Sequence, residues 1–124
     1  MSKRGEIAQR ALELVRIESV TEREGPIADF VEAWALRHFG RQDVIRISNS
    51  LVVGRFDDKR ANIILAGHLD TVPPQADEGD PRIEGDRLYG LGASDMKGAL
   101  SVMMEIAEGA AEASVNPIFV FYEK

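Results

Sequence analysis

The sequence predicts an α/β domain with a mixed sheet, and three observations carry that prediction. Two apolar runs without polar alternation, Ile63–Ala66 and Ile118–Tyr122, flank a long amphipathic stretch; strand, helix, strand is the pattern of a parallel unit. Between residues 44 and 66 lie short runs rich in β-branched residues and parted by turn formers, which mark further strands. Two segments with helical periodicity come ahead of them. At 124 residues the chain is long enough for one domain with a core and too short for two.

In the first helix, from about Glu6 to Ile17, the residues Ile7, Ala8, Ala11, Leu12, Leu14 and Val15 largely share a face. Gln9, Arg10, Glu13 and Arg16 lie behind it, as an amphipathic helix requires. The second helix opens at Gly25-Pro26, because proline suits the first helical turn. Ile27, Phe30, Val31 and Trp34 form its apolar stripe, Arg37 and His38 occupy its last turn, and Gly40 ends it; cations there suit the helix dipole. Strands are expected at Val44–Ile47, Leu51–Phe56 and Asn62–Ala66, with Asn49-Ser50 and Asp57-Asp58-Lys59 as hairpin turns between them. Ile63–Ala66 reads as a strand covered on both faces.

A loop rich in Pro, Asp and Gly runs from Thr71 to Gly85. Within it Asp77-Glu78-Gly79-Asp80 reads as a solvated turn, without the ligand spacing of a calcium loop. Asp86–Tyr89 predicts a short strand and Gly90–Ser94 a flexible link. A long helix over about 96–113 buries Leu100, Met103, Met104, Ile106 and Ala107. Trp34 and the Met103-Met104 pair read as core, and His38 as a helix-end cation partner.

Composition removes several function classes. The formal net charge is −6 and the basic residues are scattered, so nucleic acid is not an expected partner. With no cysteine in the chain, neither disulfides nor a thiolate metal site can form. No apolar stretch approaches the length of a membrane span, and Met1–Glu6 lacks the apolar core of a secretory signal. A cytoplasmic protein is therefore expected.

Two constellations carry chemistry. In Ala66-Gly67-His68-Leu69-Asp70-Thr71-Val72-Pro73, His68 and Asp70 stand where a strand runs out, and their side chains start on the same side. An imidazole binds metal through one ring nitrogen while a carboxylate holds the other N–H. A lone His-x-Asp, however, is most often an ordinary strand-end histidine. The second constellation is Leu88-Tyr89-Gly90-Leu91-Gly92-Ala93-Ser94-Asp95-Met96-Lys97-Gly98. Here Asp95 lies after a small-residue loop at the mouth of a helix, where its carboxylate could bridge metals or simply cap the helix. Gly90 and Gly92 do not have the spacing of a Walker or Rossmann phosphate loop.

Taken together, Gly67-His68-Leu69-Asp70-Thr71-Val72-Pro73 followed by Gly92-Ala93-Ser94-Asp95-Met96-Lys97-Gly98 resembles the M20 family of metallopeptidases and deacylases. The likeness runs over nearly the whole chain, from Leu14-Val15-Arg16-Ile17-Glu18-Ser19-Val20-Thr21 onward. Arg87–Gly90 and Val120–Lys124 are most similar to succinyl-diaminopimelate desuccinylases. The resemblance implies that residues 1–124 are the amino-terminal portion of a zinc-aminopeptidase-like three-layer α/β/α catalytic domain. It implies His68 as a metal ligand, Asp95 as the ligand bridging two metals, and Asp70 as the acid that hydrogen-bonds His68. It also implies a cis peptide bond at Asp95-Met96. Two divalent ions are implied, zinc first, with cobalt or manganese as alternatives.

The implied reaction is hydrolysis of an N-acyl amino acid, N-succinyl-LL-2,6-diaminopimelate first, in lysine and diaminopimelate biosynthesis. Acetylornithine deacetylase, aminoacylase and carboxypeptidase activities of the same family are the alternatives. The chain stops at Lys124, where the family's Glu-Glu pair of base and ligand is expected to begin, and Glu123 does not take that role. The inserted dimerisation domain and the carboxyl-terminal half of the catalytic domain are likewise expected to be absent. The full protein is expected to be a homodimer, and the 124-residue chain to be inactive and to self-associate. A reading of another class is a non-catalytic remnant or interaction module.

Overall fold

A computed structural model describes residues 1–76 and 79–124. Its first helix, α1 (Lys3–Arg16), begins earlier than periodicity suggests, because the Ser2 hydroxyl accepts a hydrogen bond from the Gly5 N–H and caps it. Helix α2 (Gly25–His38) starts with proline in its first turn as expected. It ends at an extended Phe39, and Gly40 does not adopt the left-handed conformation of a glycine cap.

Strands β1 (Val44–Ile47) and β2 (Ser50–Val53) form the first expected hairpin. The second expected hairpin is absent. Strand β3 (Asn62–His68) does not pair with β2, and Arg55 and Phe56 are not strand. Gly54, at φ 104°, ends β2, and the acidic turn after it folds on itself as the Lys59 N–H donates to Asp57 Oδ1. The loop before Gly85 holds an unforeseen strand, β4 (Arg82–Glu84), which makes a small hairpin with β5 (Arg87–Tyr89). The solvated turn expected at Asp77–Asp80 includes Asp77 and Glu78, which lie outside the described residues.

Helix α3 (Gly98–Glu108) is shorter than the predicted segment. A wide turn at Ala93–Lys97 precedes it and a short 3₁₀ turn follows. Ile106 is 45% exposed, against the expected burial: Leu100, Met103, Met104 and Ala107 define the inner stripe and Ile106 falls beside it.

The last strand, β6 (Asn116–Tyr122), enters between β2 and β3, giving the order β1-β2-β6-β3. It runs antiparallel to β2 and parallel to β3, with His68 opposite Tyr122. The sheet is therefore mixed, and β3–α3–β6 is the parallel unit the sequence announced. Leu51, Val53, Phe119 and Phe121 form the sheet side of the core and pack against Leu14, Val31, Trp34, Leu100 and Met104 of the three helices. Trp34, Met103 and Met104 are core residues, as expected. The other face is open: Ile45, Ile47 and Ile64 are all more than half exposed. Strand β3 is thus an edge with one covered face, not the doubly covered strand its composition suggests, because only β6 flanks it and the helices pack on one side.

Candidate metal centre

The site forms where β3 ends. A Cβ at Gly67 would meet Met96 Cε at 2.7 Å, Leu100 Cδ2 at 2.8 Å and Met103 Sδ at 3.1 Å, so glycine lets the strand lie close to α3 without displacing those side-chain ends. The alternation of the strand then turns His68 to the open side. Beyond it, the stretch after α1 runs beside the strand's continuation. The Thr71 N–H donates to Ser19 O at 2.8 Å, the Thr21 N–H to Thr71 O at 3.1 Å, and the Ser19 hydroxyl to Leu69 O at 2.8 Å. These bonds hold Leu69–Thr71 in a fixed turn at the mouth of the sheet.

His68 and Asp70 meet in that turn, with Nδ1 3.0 Å from Asp70 Oδ1. His68 Nε2 points the opposite way and lies 2.9 Å from Asp95 Oδ1. Asp95 arrives from the wide turn before α3, where its own φ and ψ are −138° and 88° and the Asp95–Met96 peptide bond is cis, as the resemblance implies. Gly92, at φ 81°, admits the chain here, since a Cβ would meet Thr71 Cγ2 at 2.6 Å. Helix capping does not explain Asp95: α3 begins at Gly98 without a side-chain cap. Its carboxylate is 81% exposed and projects outward.

Both ring nitrogens of His68 thus face carboxylate oxygens. A neutral imidazole carries one N–H and can satisfy only one of them. Burial disfavours the imidazolium, but the hydrogen bond to Asp95 and the contacts with Asp70 outweigh it and hold the His68 pKa above its ordinary value. The gap between Nε2 and Asp95 therefore favours a positive charge. A divalent metal meets that requirement with the same two atoms, one imidazole nitrogen and one carboxylate oxygen, both accepted zinc donors. The residues fit such an ion as a pair only. Among the described residues no group of three or more His, Cys, Asp or Glu side chains could hold a metal.

Two residues beyond Asp95, the Lys97 side chain is 2% exposed and its Nζ donates to Ile17 O at 2.6 Å. Burial pushes its pKa down to about 8. Lys97 ties the Asp95 turn to the end of α1.

His68, Asp70, Thr71, Gly92 and Asp95 line a cavity of about 320 Å³. A larger one, about 970 Å³, lies at the other end of the sheet among Phe39, Arg55, Asp57, Arg60 and Asn116. Asn62 is paired with Asn116 at that end and His68 with Tyr122 at this one, so the two are about 20 Å apart along the strand. In the larger cavity Arg60 is already occupied by Asp57, Ala113 O and Asn116, and the smaller cavity is the one beside the reactive groups.

The structure brings together the three residues singled out in the sequence. It also adds Thr21, whose hydroxyl reaches Asp70 Oδ2, together with Ser19 and Lys97. Periodicity gave no sign of these three, since their partners are backbone or side-chain groups distant in sequence. Glu123, to which no catalytic role was given, accepts from the Ser48 hydroxyl at 3.2 Å.

The family model described as peptidase family M20/M25/M40 matches residues 64–123. A Mycobacterium tuberculosis protein provisionally named a succinyl-diaminopimelate desuccinylase is 35% identical over 120 residues, covering 97% of this chain and 34% of its own length. The succinyl-diaminopimelate desuccinylase of Corynebacterium glutamicum is 38% identical over 93 residues, covering 73% of this chain and 25% of its own. Among solved structures, a tripeptidase from Staphylococcus aureus shares the fold with a TM-score of 0.76 at 24% identity, covering 98% of this chain and 36% of that one. The chain spans about a third of the length of the Mycobacterium tuberculosis relative. It belongs to the M20 peptidase family.

Proposed function

We propose that residues 1–124 are the amino-terminal portion of the catalytic domain of a two-metal amide hydrolase, the rest of that domain and a dimerisation domain lying outside them. His68 and Asp95 would hold the metal, with Asp95 serving both ions, and Asp70 would orient His68. The substrate is an N-acyl amino acid, N-succinyl-LL-2,6-diaminopimelate first. A single observation carries the metal reading: Asp70 fixes one edge of the His68 ring, and the other edge meets an exposed carboxylate across 2.9 Å. The substrate reading rests on the names of relatives at 35 to 38% identity. A relative in Sulfurisphaera tokodaii named [LysW]-lysine/[LysW]-ornithine hydrolase, 36% identical over 101 residues, keeps other acylated amino acids in view.

When bound, a divalent metal supplies Lewis acidity that polarises the scissile amide carbonyl. The chain's own residues prepare for it. Asp70 holds the proton on Nδ1, so the Nε2 lone pair faces the cavity. Asp95 sets a carboxylate beside that nitrogen, and its exposed side leaves room for a second ion. The cavity of about 320 Å³ gives the acyl group access. Among the described residues, the carboxylates that line this cavity are those of Asp70 and Asp95, both already given roles, and Glu123 is engaged with Ser48. Hydrolysis by residues 1–124 alone is not expected.

Calorimetric zinc titration of the 124-residue chain tests this. The unchanged chain takes up zinc weakly, and His68→Ala or Asp95→Ala weakens uptake by at least about tenfold. Zinc affinity indifferent to both substitutions rules out the metal site. Turnover of N-succinyl-LL-diaminopimelate by the same chain rules out its inactivity.

A further inference from the structure

We infer that Thr21 is a positioning residue for the metal centre: its hydroxyl fixes the Asp70 carboxylate, and through it the ring of His68. The inference rests on the proposed metal site, and its geometry is independent of that site. The Asp70 carboxylate has two oxygens in use. Oδ1 lies 3.0 Å from His68 Nδ1 and Oδ2 accepts from the Thr21 hydroxyl. The same hydroxyl lies 3.2 Å from Thr71 O, but its one proton goes to the nearer, charged acceptor. Thr71, although adjacent to Asp70 in sequence, has a buried hydroxyl with no hydrogen-bond partner among the described residues. The oxygen that steadies Asp70 therefore comes from the other segment.

That segment is itself well anchored. Val20 bridges Thr71 in parallel, the Ser19 hydroxyl donates to Leu69 O, and Lys97 Nζ donates to Ile17 O. The stretch Ile17–Thr21 is thus bonded both to the turn that carries Asp70 and to the turn that carries Asp95. Its backbone sets the distance between Thr21 and Asp70, so the hydroxyl acts as a stop on one carboxylate rotamer. Without that stop, Asp70 Oδ1 can leave Nδ1, which then keeps only Asp70 O at 3.1 Å, and the neutral ring can shift part of its population to the form with the proton on Nε2, toward Asp95. A proton on Nε2 occupies the lone pair a metal needs.

Thr21 is exposed, so Thr21→Val keeps its shape, removes the hydroxyl and leaves the core untouched. Thr21→Ser restores the hydroxyl. The test records long-range ¹H–¹⁵N spectra of the metal-free chain at one alkaline pH, followed by zinc titration of the His68 signals. The unchanged chain and Thr21→Ser hold the Nδ1–H tautomer. Thr21→Val shows a mixture with Nε2–H and binds zinc about tenfold more weakly, the lower end of the range for removing a partner behind a ligand. The same tautomer and affinity in Thr21→Val overturn the inference, and so do equal losses in Thr21→Val and Thr21→Ser. If zinc leaves the His68 signals of the unchanged chain unmoved, the metal reading fails, and the tautomer comparison still decides whether Thr21 positions the ring.

Discussion

Gly67 and Lys97 show at single positions how the site is held. A methyl group at Gly67 would press into the Met96, Leu100 and Met103 side chains. Gly67→Ala is expected to cost about 1–3 kcal/mol, the usual penalty of overpacking, read as a lowered urea midpoint. Lys97 makes stability depend on pH. Its folded pKa of about 8 lies below its ordinary 10.5, so between those values the unfolded chain holds the extra proton. Stability rises with pH across that window and is flat below it. In chelator-treated protein the rise should exceed that of Lys97→Met by up to about 3 kcal/mol, measured by denaturant melts from pH 7 to 11. Equal slopes in the two proteins would show that burial does not depress Lys97.

At the scale of elements, one carboxylate joins all three helices. Glu108, at the end of α3, accepts from Arg10 of α1 at 2.5 Å and from Trp34 Nε1 of α2 at 2.8 Å, with His38 Nε2 at 3.6 Å. Glu108→Ala leaves a part-buried indole N–H and a guanidinium without their acceptor. A loss of about 1–3 kcal/mol is expected, with the helices less protected in hydrogen exchange than the β6 core. His38 was read from sequence as a helix-end cation partner, and the structure supplies the acid that faces it. The elements that sequence misassigned share one cause. The second hairpin failed because the partner of β2 is β6, more than sixty residues on, and local turn chemistry cannot announce a strand that inserts from so far away. Strand β4 escaped notice because three residues beside Pro81 are too few to show alternation.

For the whole molecule, the open face and the β3 edge are the features with consequences. Ile45, Ile47 and Ile64 are exposed on the face without helices, and β3 offers unpaired backbone groups along its free side. The 124-residue chain on its own is expected to self-associate with rising concentration. Ile64→Lys should reduce that association, as sedimentation velocity would show. A clean monomer at high micromolar concentration would mean that the edge is harmless.

By itself the sequence determined the alternation of strand and helix, the inner stripes of α1 and α2, and the three residues His68, Asp70 and Asp95. The first two are local facts of periodicity and turn formers, whereas the three residues stand out through two short motifs that together resemble the M20 family. Tertiary structure decided which strands pair, which face stays open, and that Asp95 meets His68 rather than capping α3. It also decided that Thr21 stands behind Asp70. The physical reason is sequence distance: Thr21 and Asp70 are 49 positions apart, and a hydrogen bond between them exists only once β3, α1 and the strap between α1 and α2 have packed together.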